Sequence, residues 1–238
     1  VSIVCLFVLL IIKDYSNLYV VKNVSNDLSP LFSATSLWAG QAGSLLLWAW
    51  ILSLYVLISV PKSLKKILPA SKIAGGFVLV FFLYLISFVE SPFETTSEQI
   101  TNGRGLNPIL QNIYMSIHPL SLYLGYISLT IPFSFGLGAL ISKDGSSDWI
   151  KLSKKWTYFS WTFLSIGLLL GSRWAYLELG WGGYWAWDPV ENVALMPWLL
   201  LTAFLHSSYA QEEKNVLKRW NLLLIFLAFF LSIFGTFI

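Results

Sequence analysis

A single cysteine, Cys5, stands in the chain, inside an apolar run. No intrachain disulfide can form, and no C-x-x-C-H segment exists through which the chain could itself carry covalently attached haem. Histidine is nearly as scarce: only His118 and His206 occur, too far apart in sequence to suggest a zinc centre. Charge is thin as well, at 11% of residues against about 25% in ordinary soluble domains. Lys and Arg, 15 in all, sit mostly in short loops and form no nucleic-acid footprint. Neither a P-loop nor a dinucleotide fingerprint is present. Position 1 is Val rather than Met, and no signal-peptide charge pattern opens the chain.

Apolar matter fills the space that charge leaves. Hydrophobic residues make up 56% of the 238, aromatics 17%, and the mean hydropathy is +0.69. A polytopic all-α membrane protein is the class that fits. Apolar segments suited to a hydrocarbon core of about 30 Å fall at 1–12, 44–60, 73–89, 119–141, 157–175, 193–210 and 219–238. In lipid each must be helical, because every backbone group needs an internal partner. The expectation is about six full transmembrane helices plus a truncated N-terminal one, forming one partial domain over 1–238. Both ends lie inside apolar runs, which reads as a fragment or one piece of a split protein.

Orientation comes from the loops. Lys62, Lys65, Lys66 and Lys72 mark 61–72. Lys143, Lys151, Lys154 and Lys155 mark 142–156, and Lys214, Lys218 and Arg219 mark 211–219. The alternate loops, 13–43, 90–118 and 176–192, carry Asp14, Asp27, Glu90, Glu94, Glu98, Glu178, Asp188 and Glu191. Positive charge marks the cytoplasmic side, or the matrix side in an organelle, so the three acidic loops are expected outside.

The stretch W-G-G-Y-W-A-W-D-P-V-E-N at 181–192 is the most unusual in the chain. Trp181, Tyr184, Trp185 and Trp187 crowd into seven positions. Gly182 and Gly183 let the backbone turn and approach a neighbour closely. Pro189 suits the first turn of a helix, with Asp188 before it as a cap. Such a segment reads as a flat aromatic shelf for a large planar apolar ligand. An interfacial aromatic belt is the plainer alternative, but a belt does not account for the glycine pair or for D-P-V-E-N. Glu178, Asp188 and Glu191 could serve acid–base chemistry, or equally cap helices and hydrogen-bond the indoles.

The two histidines occupy distinct places. His118 stands just before Pro119, at the outer mouth of segment 119–141 and on the side of the shelf. Imidazole is a good axial ligand for haem iron, although a polar residue closing a loop would look the same. His206 lies roughly 20 Å into its helix, past the midplane, where an ionisable group is costly. It is either a neutral histidine hydrogen-bonded between helices or an axial ligand to a haem inside the bundle, whose second ligand lies outside this chain. Met115 and Met196 are poorly placed for that second role.

These motifs resemble a known family. W-G-G-Y-W-A-W-D-P-V-E-N-V-A-L-M-P-W-L is similar to the tryptophan-rich "WWD" signature of the haem-handling proteins of cytochrome c maturation. Together with G-R-G-L-N-P-I-L-Q before His118 and W-A-G-Q-A-G-S-L-L-L-W at 38–48, it resembles the CcmF family from about Leu18 onward. The resemblance implies a cytochrome c haem lyase subunit in a bacterial inner membrane, with the Trp-rich loop periplasmic, or in a mitochondrial inner membrane. It implies transient haem accepted from the chaperone CcmE and attached to apocytochrome c, alongside CcmH- and CcmI-type subunits. Trp181, Gly182, Gly183, Tyr184, Trp185, Trp187, Asp188 and Glu191 would cradle that haem, and His118 would bind its iron. His206 would ligate a haem b in the bundle, which passes electrons, drawn from quinol, to the incoming haem. The family's second ligands are expected beyond Ile238. Tyr184 replaces a Trp common in the family, and Ala42 replaces a Glu. A CcmC-like haem transporter that loads the chaperone without forming a bond is the alternative, and a structural subunit without cofactor is the third reading.

Overall fold

A computed structural model of the chain describes residues 1–59, 65–143, 148–180 and 182–235. Among these residues the architecture is helical, and extended backbone pairs in one isolated antiparallel bridge, Asn17 to Thr95. The elements in order are α1 (Ser2–Ile12), α2 (Leu18–Asn23), α3 (Pro30–Thr35), α4 (Gln41–Ile58), α5 (Leu68–Tyr84, continued by a π-helical turn at Leu85–Val89), α6 (Ile113–Ser128), α7 (Thr130–Ile141), α8 (Asp148–Glu178), α9 (Pro189–Lys214) and α10 (Lys218–Gly235).

Five of the described helices are long and apolar enough to cross a membrane: Gln41–Ile58, Leu68–Val89, Ile113–Ile141, Pro189–Lys214 and Lys218–Gly235. The expected span at 157–175 lies within α8. At 31 residues it is about 46 Å long, but Arg173 and several Ser, Thr and Trp residues lower its hydropathy. It packs between α6 and α9 among the apolar five, so the expected six spans resolve into five apolar helices and one more polar partner.

Two boundaries differ from the sequence reading. The expected segment 119–141 begins earlier, at Ile113, with Asn112 capping it through its side chain and the Tyr114 amide. His118 therefore sits inside α6 and not in the loop ahead of it, and Pro119 is tolerated within the helix. The same segment breaks at Leu129, just ahead of Pro132, whose ring removes the bond to the Ser128 carbonyl. Loop 13–43 is less irregular than expected and contains α2, α3 and a 3-10 turn at Ser36–Trp38.

The alternation of loop charge appears as two opposite ends. At one, the Leu18 amide donates to Glu94 O (2.9 Å), Thr96 to Ser16 O (2.9 Å) and Arg104 to Val21 O (2.7 Å), joining loop 13–43 to loop 90–112. Trp174 Nε1 donates to Ile109 O (3.1 Å) and Asn112 Nδ2 to Glu178 Oε1 (2.6 Å), joining that loop to the end of α8. Tyr19 is the hub of this end: its buried hydroxyl donates to Ser36 O (2.8 Å) and accepts from the Gly40 amide (3.1 Å). At the opposite, lysine-bearing end, Ser142 Oγ donates to Lys66 O (3.2 Å), and Lys154 Nζ reaches Glu212 at 2.8 Å.

Lipid tails give apolar helices no hydrophobic reason to associate, so close packing and polar contacts must hold them together. Gly125 of α6 and Gly167 of α8 supply the first. A Cβ on Gly125 would come within 2.7 Å of Leu164 Cγ, and one on Gly167 within 2.8 Å of Leu122 Cγ. Between α9 and α10 the contact is polar. Buried Asn221 donates to Gln211 Oε1 (2.7 Å) and accepts from the Ser207 hydroxyl. Between α7 and α10, Phe133 stacks on Phe229 with ring centroids 3.9 Å apart.

Candidate functional site

The Trp-rich loop is shaped by its backbone. Gly180 and Gly182 adopt positive φ (66° and 71°), and a Cβ at either would meet nothing within 4 Å. The glycines are thus needed for a left-handed turn. The close approach expected at Gly182 and Gly183 is not found, since a Cβ on Gly183 would touch only Trp185 O, at 4.0 Å. Trp187 also has positive φ (59°), a conformation that costs a residue with a side chain roughly 1–2 kcal/mol. The D-P-V-E-N segment holds it there. Asp188 Oδ1 accepts the Glu191 amide (2.7 Å), Glu191 Oε2 accepts the Ala186 amide (2.9 Å), and Asn192 Nδ2 donates to Trp187 O (2.9 Å). Asp188 and Glu191 form a full capping box on α9.

His118 leans from α6 onto α8. Its Nδ1 lies 2.8 Å from Gly167 O. A carbonyl can only accept, so in the neutral ring Nδ1 carries the proton and Nε2 carries the lone pair. The imidazole stacks on Trp174 at 6.5 Å between centroids with 14° between planes. His118, Trp174, Trp185, Asp188 and Glu191 line one cleft of about 60 Å³ between α6, α8 and the start of α9. The Trp185 Nε1 atom is buried and has no hydrogen-bond partner.

The other predicted residues are distributed around this cleft. Trp187 stands edge-on to Trp185 (5.8 Å, 85°) and is 69% exposed. Tyr184 turns aside and stacks on Tyr176 (4.5 Å, 8°), over which Arg173 also lies. Trp181 lies outside the described residues. Ala42 is buried in the first turn of α4.

His206 belongs to a second place. Among the described residues it is exposed on α9, which is compatible with the expected site lying within a larger bundle. The reason is the helix's register: α9 buries the stripe of Val193, Ala194, Pro197, Leu201, Phe204, Leu205, Ser208 and Gln211, and His206 falls off it. Its Nδ1 lies 2.8 Å from Thr202 O, leaving Nε2 with the lone pair. Tyr158, Trp161, Thr202, Leu205 and Tyr209 form with it a groove of about 230 Å³. The Tyr158 and Tyr209 hydroxyls are 2.7 Å apart, and Lys154 lies over the Tyr209 ring. Among the described residues no group of three or more His, Cys, Asp or Glu side chains that could hold a metal ion occurs, and the two imidazoles lie in separate places.

Sequence reasoning missed Gly167, Gly171, Arg173 and Trp174. A signal existed: G-L-L-L-G at 167–171 is a small-xxx-small pair, and Trp174 three residues on shares its face.

A model of the cytochrome C assembly protein family matches residues 38–238. The chain belongs to this family. Within it the chain is a CcmF-type member. It is 42% identical over 229 residues to the cytochrome c-type biogenesis protein ccl1 of Rhodobacter capsulatus, covering 95% of this chain and 35% of the relative. It is 38% identical over 244 residues to CcmF of Haemophilus influenzae, covering 100% of this chain and 37% of that protein. A solved structure titled "Cytochrome c Heme Lyase CcmF" superposes with a TM-score of 0.88 at 34% identity, covering 99% of this chain and 38% of that one. The CcmF-type chain thus spans little more than a third of the length of these relatives, and its multi-pass helical architecture is that of the family.

Proposed function

We propose that this CcmF-type chain handles haem at two separate places within a cytochrome c haem lyase. The single observation that carries the reading is the shared cleft: His118, whose Nδ1 is held by a carbonyl so that Nε2 keeps the lone pair, lines the same small space as Trp185, whose buried indole N–H has no partner, and the loop that carries Trp185 also exposes Tyr184 and Trp187. At about 60 Å³ that cleft holds a side of a ligand and not the whole of it, which suits a planar molecule lying across the open shelf. His118 ligates the iron of a transient haem, brought as substrate by a CcmE-type chaperone. Trp185 and Trp187 hold the porphyrin face, and Tyr184 extends the shelf. Asp188 and Glu191 act by fixing the loop that carries them. The chain's part in thioether formation is orientation: holding the haem so that its vinyl groups meet the thiols of apocytochrome c, with CcmH- and CcmI-type subunits presenting that partner.

His206 and its groove suit a resident haem b, the aromatic walls of Trp161, Tyr158 and Tyr209 matching a flat apolar ligand. Bound there, it would supply one-electron chemistry, with quinol as the electron source for keeping the transient haem reduced. The shelf faces the periplasm of a bacterial inner membrane, the lysine-bearing end facing the cytoplasm.

The test uses the full-length protein in its maturation complex. Deleting it should leave haem-loaded chaperone accumulating and cytochrome c unmade. Loss of chaperone loading would favour a transporter instead. His206→Ala should remove the b-type spectrum, and His118→Ala should retain it while abolishing ligation of the transient haem.

A further inference from the structure

We infer that Gly171 of α8, together with the carbonyl of Gly167, is the positioning device for His118, setting which ring nitrogen is presented to the metal. The inference rests on the proposed ligation of haem by His118. His118 lies so close to the α8 backbone that a Cβ on Gly171 would stand 2.5 Å from its Cε1, 2.8 Å from its Nδ1 and 3.3 Å from its Nε2. No side chain other than hydrogen fits between ring and helix. That approach is what brings Nδ1 to 2.8 Å from Gly167 O, one helical turn away. The carbonyl fixes the proton on Nδ1 and reserves Nε2 for iron. Trp174, three residues on along the same helix, lies parallel to the ring, and it is itself tied to Ile109 O. The ring is thus held against one face of α8, by its backbone at Gly167 and Gly171 and by the anchored indole. Outer partners of a ligating histidine commonly change metal affinity 10- to 100-fold when removed.

Gly171→Ala separates positioning from folding. Alanine is the better helix former, and the atoms its methyl meets belong to the His118 side chain and not to backbone, so the ring is displaced from its place while α8 remains. Gly76 of α5 is the control, since a Cβ there meets nothing within 4 Å. The full-length proteins are loaded through haem-charged chaperone, and the electronic spectrum of the transient haem is read. Gly171→Ala should lose ligation at His118 roughly 10- to 100-fold, with the b-type spectrum of the His206 haem unchanged and Gly76→Ala like wild type. A wild-type transient signal in Gly171→Ala, where His118→Ala has lost it, overturns this inference. A wild-type signal in His118→Ala overturns the haem reading itself. Should Gly171→Ala also lose the b-type spectrum, the wild-type protein decides: ¹⁵N resonances of the His118 ring, without delivered haem, should show a protonated Nδ1 and an unprotonated Nε2. The opposite tautomer refutes the device.

Discussion

Replacing Trp185 by Phe should separate a ligand contact from a packing contact. In the protein without haem, Trp185 Nε1 is buried with no partner. An unsatisfied buried donor costs about 1–3 kcal/mol. Phe removes that cost and also loses part of a half-buried ring, about 1 kcal/mol of apolar contact at roughly 0.8 kcal/mol per CH₂ equivalent. The net is a gain of about 0–2 kcal/mol, so the haem-free full-length protein should melt no lower than wild type, and above it by no more than about 8 °C on the scale of about 2–4 °C per kcal/mol that holds for about 150–250 residues. Binding should respond otherwise. If the N–H donates to a charged group of the haem, its loss removes about 1.5–3 kcal/mol, a factor of roughly 10–150 in affinity. The assay is paired: thermal unfolding of the purified full-length protein, and titration of haem transferred from the chaperone. A variant that melts far below wild type yet keeps full affinity would refute the reasoning, because Trp185 would then be structural.

Other consequences are as direct. Asn221→Ala leaves Gln211 and Ser207 without their partner between α9 and α10, and should cost about 1–3 kcal/mol, read as a lower melting temperature with the transient-haem chemistry at the far end intact. Gly43→Ala puts a methyl into the Leu37 carbonyl and the Tyr19 hydroxyl. It should destabilise by about 1–3 kcal/mol, whereas Gly76→Ala should be neutral or slightly stabilising by thermal melts. Glu191→Ala removes the acceptor for the Ala186 and Asp188 amides and half of the capping box. It should loosen the Trp-rich loop by about 0.5–2 kcal/mol, seen as faster hydrogen exchange at those amides with the body of α9 protected.

The class of fold and the grouping of its loops at two ends were legible because lipid imposes long apolar runs, and lysines cluster at alternate loops. What periodicity could not provide was register. Helices that are apolar all round give no sign of which face meets which neighbour, so nothing in the sequence told that His206 lies off the stripe α9 buries among the described residues. His118 was placed in a loop because Pro119 reads as a boundary. Asn112 caps the helix about two turns earlier, and the proline is accommodated within it. The aromatic shelf was visible in composition, but its architecture was not: Glu191 and Asn192 hold a left-handed Trp187, an interaction set by dihedral angles that sequence does not display. The same holds for Gly167 and Gly171, whose spacing was present and whose partner, an imidazole from another helix, was not.

The central claim is most directly tested by a density map of the full-length protein trapped with haem delivered by its chaperone and no apocytochrome present. The account predicts a porphyrin across the 182–188 loop, in van der Waals contact with Trp185 and with its iron on His118 Nε2. A porphyrin bound elsewhere on this end of the molecule, with His118 still turned against α8 and touching no iron, would contradict it.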